Sequence, residues 1–163
     1  TAPWATCTTS WGCCVVPDQP GLQPAAEAVA AIDAAAAASM AAPDDRAAQE
    51  GLWRAVFALE RWIFIARGTE EQPTPFAATT EQGPAIFAFS TPERALEAAA
   101  GFGIPSEETR MLTVPMPDAA GWVASYAESG VESMVFDAPV IGAMAPLANL
   151  AAMAVWIQQH PEG

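Results

Sequence analysis

From residue 45 onward the chain alternates short, dense apolar runs with capped helical segments, and that alternation limits the fold most. Trp62–Ile65, Phe76–Thr80, Ala85–Phe89, Met111–Val114 and Val131–Phe136 are β-type runs. Between and around them lie stretches with helical spacing. Leu52, Val56 and Leu59 share one side of a helix over about 45–60, with Trp53 and Phe57 adjoining. Glu81-Gln82-Gly83 separates two of the runs as a hairpin loop. Ser90-Thr91-Pro92-Glu93 starts a helix, with either Ser90 or Thr91 as its cap. That helix stops at Gly101, and the Gly101-Phe102-Gly103 turn after it is a C-cap rather than a phosphate loop. Pro117-Asp118 opens another helix, which ends at Ser129-Gly130, and Pro146 opens the last. Five short strands interleaved with helices predict an α+β (α/β-like) fold, a single mixed β-sheet packed with helices.

Two segments precede this domain. Residues 1–23 have no helical period and carry Trp4, Trp11, Cys7, Cys13, Cys14 and the Val15-Val16 pair. We read them as an irregular N-terminal docking arm. Trp4, Trp11, Val15 and Val16 are its partner-binding candidates, because buried aromatics dominate interface energetics. Residues 24–44 form an Ala-rich helix with high intrinsic propensity but little to bury, so a peripheral position is expected. Asp44 is the expected N-cap of the next helix, on which Arg46, Glu50 and Arg54 make an i, i+4 ladder.

The net charge of −13, with six arginines as the only Lys/Arg residues, disfavours a nucleic-acid or anionic-membrane partner. The apolar run Ile141–Ile157 is interrupted by Pro146 and Asn149 and lacks basic anchors, so it reads as a buried core helix and not a membrane span. A start at Thr1 fits removal of a targeting peptide or trimming of the chain, which leaves an organelle interior or the bacterial cytoplasm as alternative locations.

The residues bearing reactive groups do not assemble into a motif. Cys7, Cys13 and Cys14 lack a fourth ligand for zinc or an iron–sulfur cluster, so no metal or cofactor is expected. They leave open a disulfide from Cys7 to Cys13 or Cys14, or three free thiols. His160 sits in a polar tail and is expected to be exposed without a role. The carboxylate pairs Asp44-Asp45, Glu70-Glu71 and Glu107-Glu108 lie at helix starts or in loops, where capping explains them better than acid–base chemistry. Trp53, Trp62, Trp122 and Trp156 are expected at or near the core. No catalytic residue is assigned.

The order of elements resembles one known family. The stretch Leu52–Ile65, the strand-to-helix passage Ile86–Ala95, and Met134–Pro139 followed by Pro146–Leu150 are similar to the SseB N-terminal-type domain. The similarity spans about residues 45–158, and the domain is taken as 45–163. The resemblance implies an α/β fold without an established catalytic activity, and it carries over no functional residue. Together these features lead to the expectation of a non-catalytic interaction domain, an accessory or assembly subunit docked by its arm onto a larger protein assembly. An energy-converting complex of an organelle or bacterium is one form of that idea. The alternative is a small-molecule-binding or regulatory domain, with Met134, Met144 and Met153 lining an adaptable apolar site beside helix 146–158.

Overall fold

A computed structural model describes residues 13–15 and 23–161. The fold is α+β: among the described residues five α-helices pack on a mixed sheet ordered β1-β6-β2-β5-β7-β8, with β1 (Cys13–Val15) and β8 (Ala143–Pro146) at its edges. The central strands are β2 (Arg61–Gly68), β5 (Gly83–Phe89), β6 (Met111–Pro115) and β7 (Ser133–Phe136). β5 and β7 are parallel, and the other pairings are antiparallel.

Strand alternation splits the core in two. Trp62, Phe64, Ile86, Ala88, Leu112, Val114, Met134 and Phe136 face one side, while Ile63, Ile65, Phe87, Phe89, Met111 and Val135 face the other. Because both sides are covered, these strands read as continuous apolar runs rather than alternating ones. The first side carries α1 (Ala26–Ala41), α2 (Arg46–Phe57), α4 (Asp118–Ser125) and α5 (Leu147–Gln159). The second is covered by α3 (Pro92–Gly101) and Ile104.

Three strands were not anticipated. β1 (Cys13–Val15) falls inside the segment expected to be irregular and pairs with β6, Cys13 opposite Thr113. β3 (Pro73–Pro75) and β4 (Ala77–Thr80) form nearly one extended stretch that fills a fork in the sheet. β2 and β5 pair only at Ile63↔Phe89 and Phe64↔Ala88 and then diverge. β3 joins β2 and β4 joins β5, and Phe76 between them donates to Ile65 O (2.8 Å) and accepts from Phe87 N (3.4 Å). β8 (Ala143–Pro146) is the far edge, paired with β7.

Helix boundaries follow local chemistry. Thr91, not Ser90, caps α3 and accepts from Arg94 N at 3.2 Å. Asp45, not Asp44, caps α2 and accepts from Ala47 N. α3 ends in a Schellman motif: Ile104 N donates to Ala99 O (2.9 Å), Gly103 N to Ala100 O (3.0 Å), and Gly103 has φ +78°. A Cβ at Gly103 would meet nothing within 4 Å. Gly103→Ala should therefore cost only the left-handed backbone penalty, about 1 kcal/mol, measurable as a lower urea midpoint.

α1 is peripheral, as its composition implied, and buries only Ile32 and Ala36. The stretch Ile141–Ile157 is not a single buried helix. It divides at Pro146 into β8 and α5, and within α5 only Leu147 and Leu150 are buried. No helix among the described residues is long and apolar enough to cross a membrane.

Candidate functional site

Trp4, Cys7, Trp11 and Val16 lie outside the described residues, as does the rest of 1–12 and 16–22 in the arm assigned to 1–23. Cys13, Cys14 and Val15 enter through their backbone alone, as β1. Among the described residues no three His, Cys, Asp or Glu side chains converge as metal ligands. Two other arrangements stand out: a buried ionic cluster and an open apolar groove.

The cluster centres on Asp137, which is fully buried although charged. It follows β7 directly and has φ +52°, a left-handed conformation that Asp and Asn tolerate better than most residues. One carboxylate oxygen accepts from Ser90 N (2.7 Å); the other accepts from Ser90 Oγ (2.6 Å) and Arg94 Nη1 (2.7 Å). Its backbone oxygen accepts from Ile141 N at 2.7 Å, which turns the chain toward β8. Arg94 continues outward to Asp33 of α1, Nη2 to Oδ1 at 2.6 Å. Burial opposes the guanidinium charge, but the hydrogen bonds to Asp33 and Asp137 outweigh it and raise the Arg94 pKa above its ordinary value. The chain Asp33–Arg94–Asp137–Ser90 thus ties α1, the start of α3 and the end of β7 together. Each carboxylate oxygen of Asp137 is engaged and the side chain is fully buried, so the cluster acts as a structural lock between these elements.

The groove lies on the four-helix side of the sheet. α2 packs on α1 and α5 packs on α4, and the layer stays open between α2 and α5. The opening has a volume of about 810 Å³. α2 presents Gln49, Glu50 and Trp53 to it; α5 presents Asn149, Met153, Trp156 and Ile157 at helical spacing; Met144, Ala145 and Pro146 of β8 line it as well. Met144 is 38% and Trp156 40% exposed, so large apolar side chains stand in water here. The C-terminal turns of the two helices are clamped. The Arg54 guanidinium lies 4.8 Å from the Trp156 ring centre, His160 stacks on the same ring at 4.6 Å, and Arg54 also donates to the His160 carbonyl oxygen. Arg54 is bound in turn to Glu50 at 2.9 Å, the one rung of the expected ladder that forms an ion pair.

Several expectations change accordingly. Trp62 is fully buried, and Trp53 and Trp122 are half-buried, but Trp156 is an exposed groove residue rather than a core one. Met144 and Met153 border the groove, whereas Met134 is fully buried in the sheet core. His160 is exposed as expected, yet it is stacked and not free. Sequence reasoning placed an apolar site beside this helix through Met144 and Met153, but it missed Trp156 and the α2 wall, because an apolar run of such density reads as core. The signal it held was Pro146, which shortens the helix and hands Met144 to an edge strand.

Searches of protein-family models, curated proteins and solved structures gave no match to this chain.

Proposed function

We propose that this chain is a non-catalytic protein-interaction domain, whose contact surface is the α2–α5 groove and which serves as an accessory or assembly subunit. The observation that carries this is the exposure of Trp156 and Met144 along a cleft left open in an otherwise packed helical layer. Aromatic and Met side chains so placed are the ones that dominate interface energy when covered. The hydrogen bonding of Asp137 supports the non-catalytic part, since the one buried carboxylate among the described residues is engaged by the fold. The SseB-like resemblance of residues 45–158 belongs to this proposal, as does docking onto a larger assembly.

The test is the native mass of the protein isolated from its source, with the co-purifying chains identified, for the unaltered chain and for Trp156→Glu. Trp156 lies outside the sealed core but stacks with Arg54 and His160, so the substitution should cost about 1 kcal/mol of stability and leave the domain folded. It should cost about 2 kcal/mol or more of partner affinity, near thirtyfold, if Trp156 is a central contact. Phe102→Ala, on the opposite side of the sheet, should retain the partner. Loss of the partner from both variants, or from neither, removes the groove from consideration.

A small-molecule reading has one observation in its favour: the groove's volume falls within the range of ligand pockets. A metabolite panel that raises the melting temperature of the unaltered chain but not of Trp156→Glu would favour that reading.

A further inference from the structure

The groove carries one charge that the described residues leave uncompensated. Arg46, Gln49, Glu50 and Trp53 stand at i, i+3, i+4 and i+7, one stripe of α2 along the opening. Glu50 is held by Arg54, one turn further along, and not by Arg46, one turn back. Asp45 caps the helix and turns a carboxylate oxygen to Ala47 N at 2.9 Å. Among the described residues Arg46 makes no ion pair, although the chain holds 19 Asp and Glu against six arginines. Arg46 is also the first residue of α2, where the helix dipole disfavours a cation. Its position therefore brings the helix no electrostatic gain.

Arg46 and Trp53 are seven residues apart, about 10 Å along the helix axis. The opening thus offers apolar rings at the turn of Trp53 and a guanidinium two turns away. A segment lying in the groove displaces water from that guanidinium, and a charge so covered has to be matched. A carboxylate matches it with two parallel hydrogen bonds, whereas a basic side chain there is repelled. The overall charge of −13 favours basic partners elsewhere on the surface, and Arg46 reverses that preference inside the groove.

We propose that the α2–α5 groove receives an apolar segment of a partner protein that bears an Asp or Glu about 10 Å from its aromatic or large aliphatic anchor. The carboxylate pairs with Arg46, and the anchor packs against Trp53 and Trp156. On a helical partner lying along α2 that spacing is about seven residues. The proposal rests on the reading of the groove as a protein-contact surface and adds the chemistry of what enters it.

The experiment uses the full chain, with a displayed library of random peptides of about 16 residues, four to five helical turns, as the probe. Peptides selected on the unaltered chain are then measured against Arg46→Gln, Arg46→Glu and Trp156→Glu. They should combine an apolar anchor with an Asp or Glu, and bind Arg46→Gln about tenfold more weakly. Binding to Arg46→Glu and to Trp156→Glu should be lost. Both Arg46 variants should keep the urea midpoint of the unaltered chain or exceed it, since each removes a cation from a helix N-terminus. That readout separates a lost contact from a damaged fold. Peptides that need Trp156 but bind both Arg46 variants undiminished overturn the proposal and leave the groove as a contact surface. Peptides indifferent to Trp156→Glu, or no peptide recovered, overturn both readings. A dimeric unaltered chain that becomes monomeric as Trp156→Glu overturns the proposal too, by seating a second copy in the groove.

Discussion

Asp137→Ala should destabilise the domain by about 3 kcal/mol, the low end of the range for breaking a buried ion pair. The substitution strips Ser90 N–H, Ser90 Oγ and Arg94 Nη1 of their common acceptor. It also places Ala at φ +52°, where Asp is tolerated better. The low end applies because Arg94 keeps a second carboxylate, Asp33, and is not left as an isolated charge. Asp137→Asn retains the left-handed tolerance and an acceptor for Ser90 N–H, so about 1–2 kcal/mol is expected. Asp33→Asn should cost under about 1 kcal/mol, since that side chain is nearly half exposed and its pair is screened by water. Urea unfolding of the three variants should rank them in that order with an unchanged m-value. If Asp33→Asn matched Asp137→Ala, the lock would lie in the attachment of α1 and not in the turn after β7.

Trp62→Ala is expected to cost about 4 kcal/mol, at the level of the largest aromatic truncations. Trp62 is fully buried, meets Phe57 edge-on at 5.3 Å and Phe136 at 5.9 Å, and donates Nε1–H to Val56 O at 3.0 Å. The bond lies at the point where α2 gives way to β2, so the ring both fills the core and satisfies an end carbonyl of the helix. Trp62→Phe keeps most of the volume but leaves Val56 O only its long bond from Leu59 N (3.4 Å), and about half the loss is expected, with the hydrogen-bond share about 1 kcal/mol. Thermal unfolding by calorimetry separates the two. A Trp62→Ala variant as stable as Trp62→Phe would mean that the cavity collapses and packing contributes little.

The two expectations differ in how visible they were from sequence. Trp62 lies in a dense β-type run, and its burial follows from composition alone. Asp137 shows nothing in its neighbourhood of sequence that announces a buried carboxylate, because its partner Ser90 is 47 residues away. Ser90 itself was legible only as a candidate helix cap, a local role that Thr91 holds instead. Long-range hydrogen bonds leave no periodic trace, and that is why the lock was invisible.

The same division runs through the whole molecule. The helices, the central strands, the α+β class, the caps within a residue and the peripheral place of α1 were present in the order of residues. Apolar period, proline and glycine act over a few positions, and each of these features depends on a few positions. β8 was not present there, because Ala143-Met144-Ala145 has weak strand propensity and becomes a strand through pairing with β7. Nor was the exposure of α5. Its residues are apolar almost all round, which by composition means burial on every side, and only the packing of α2 on α1 and of α5 on α4 left one side uncovered. Which apolar side chains meet water depends on how helices share a sheet, and that sharing is set by contacts between segments a hundred residues apart, such as Arg54 with His160.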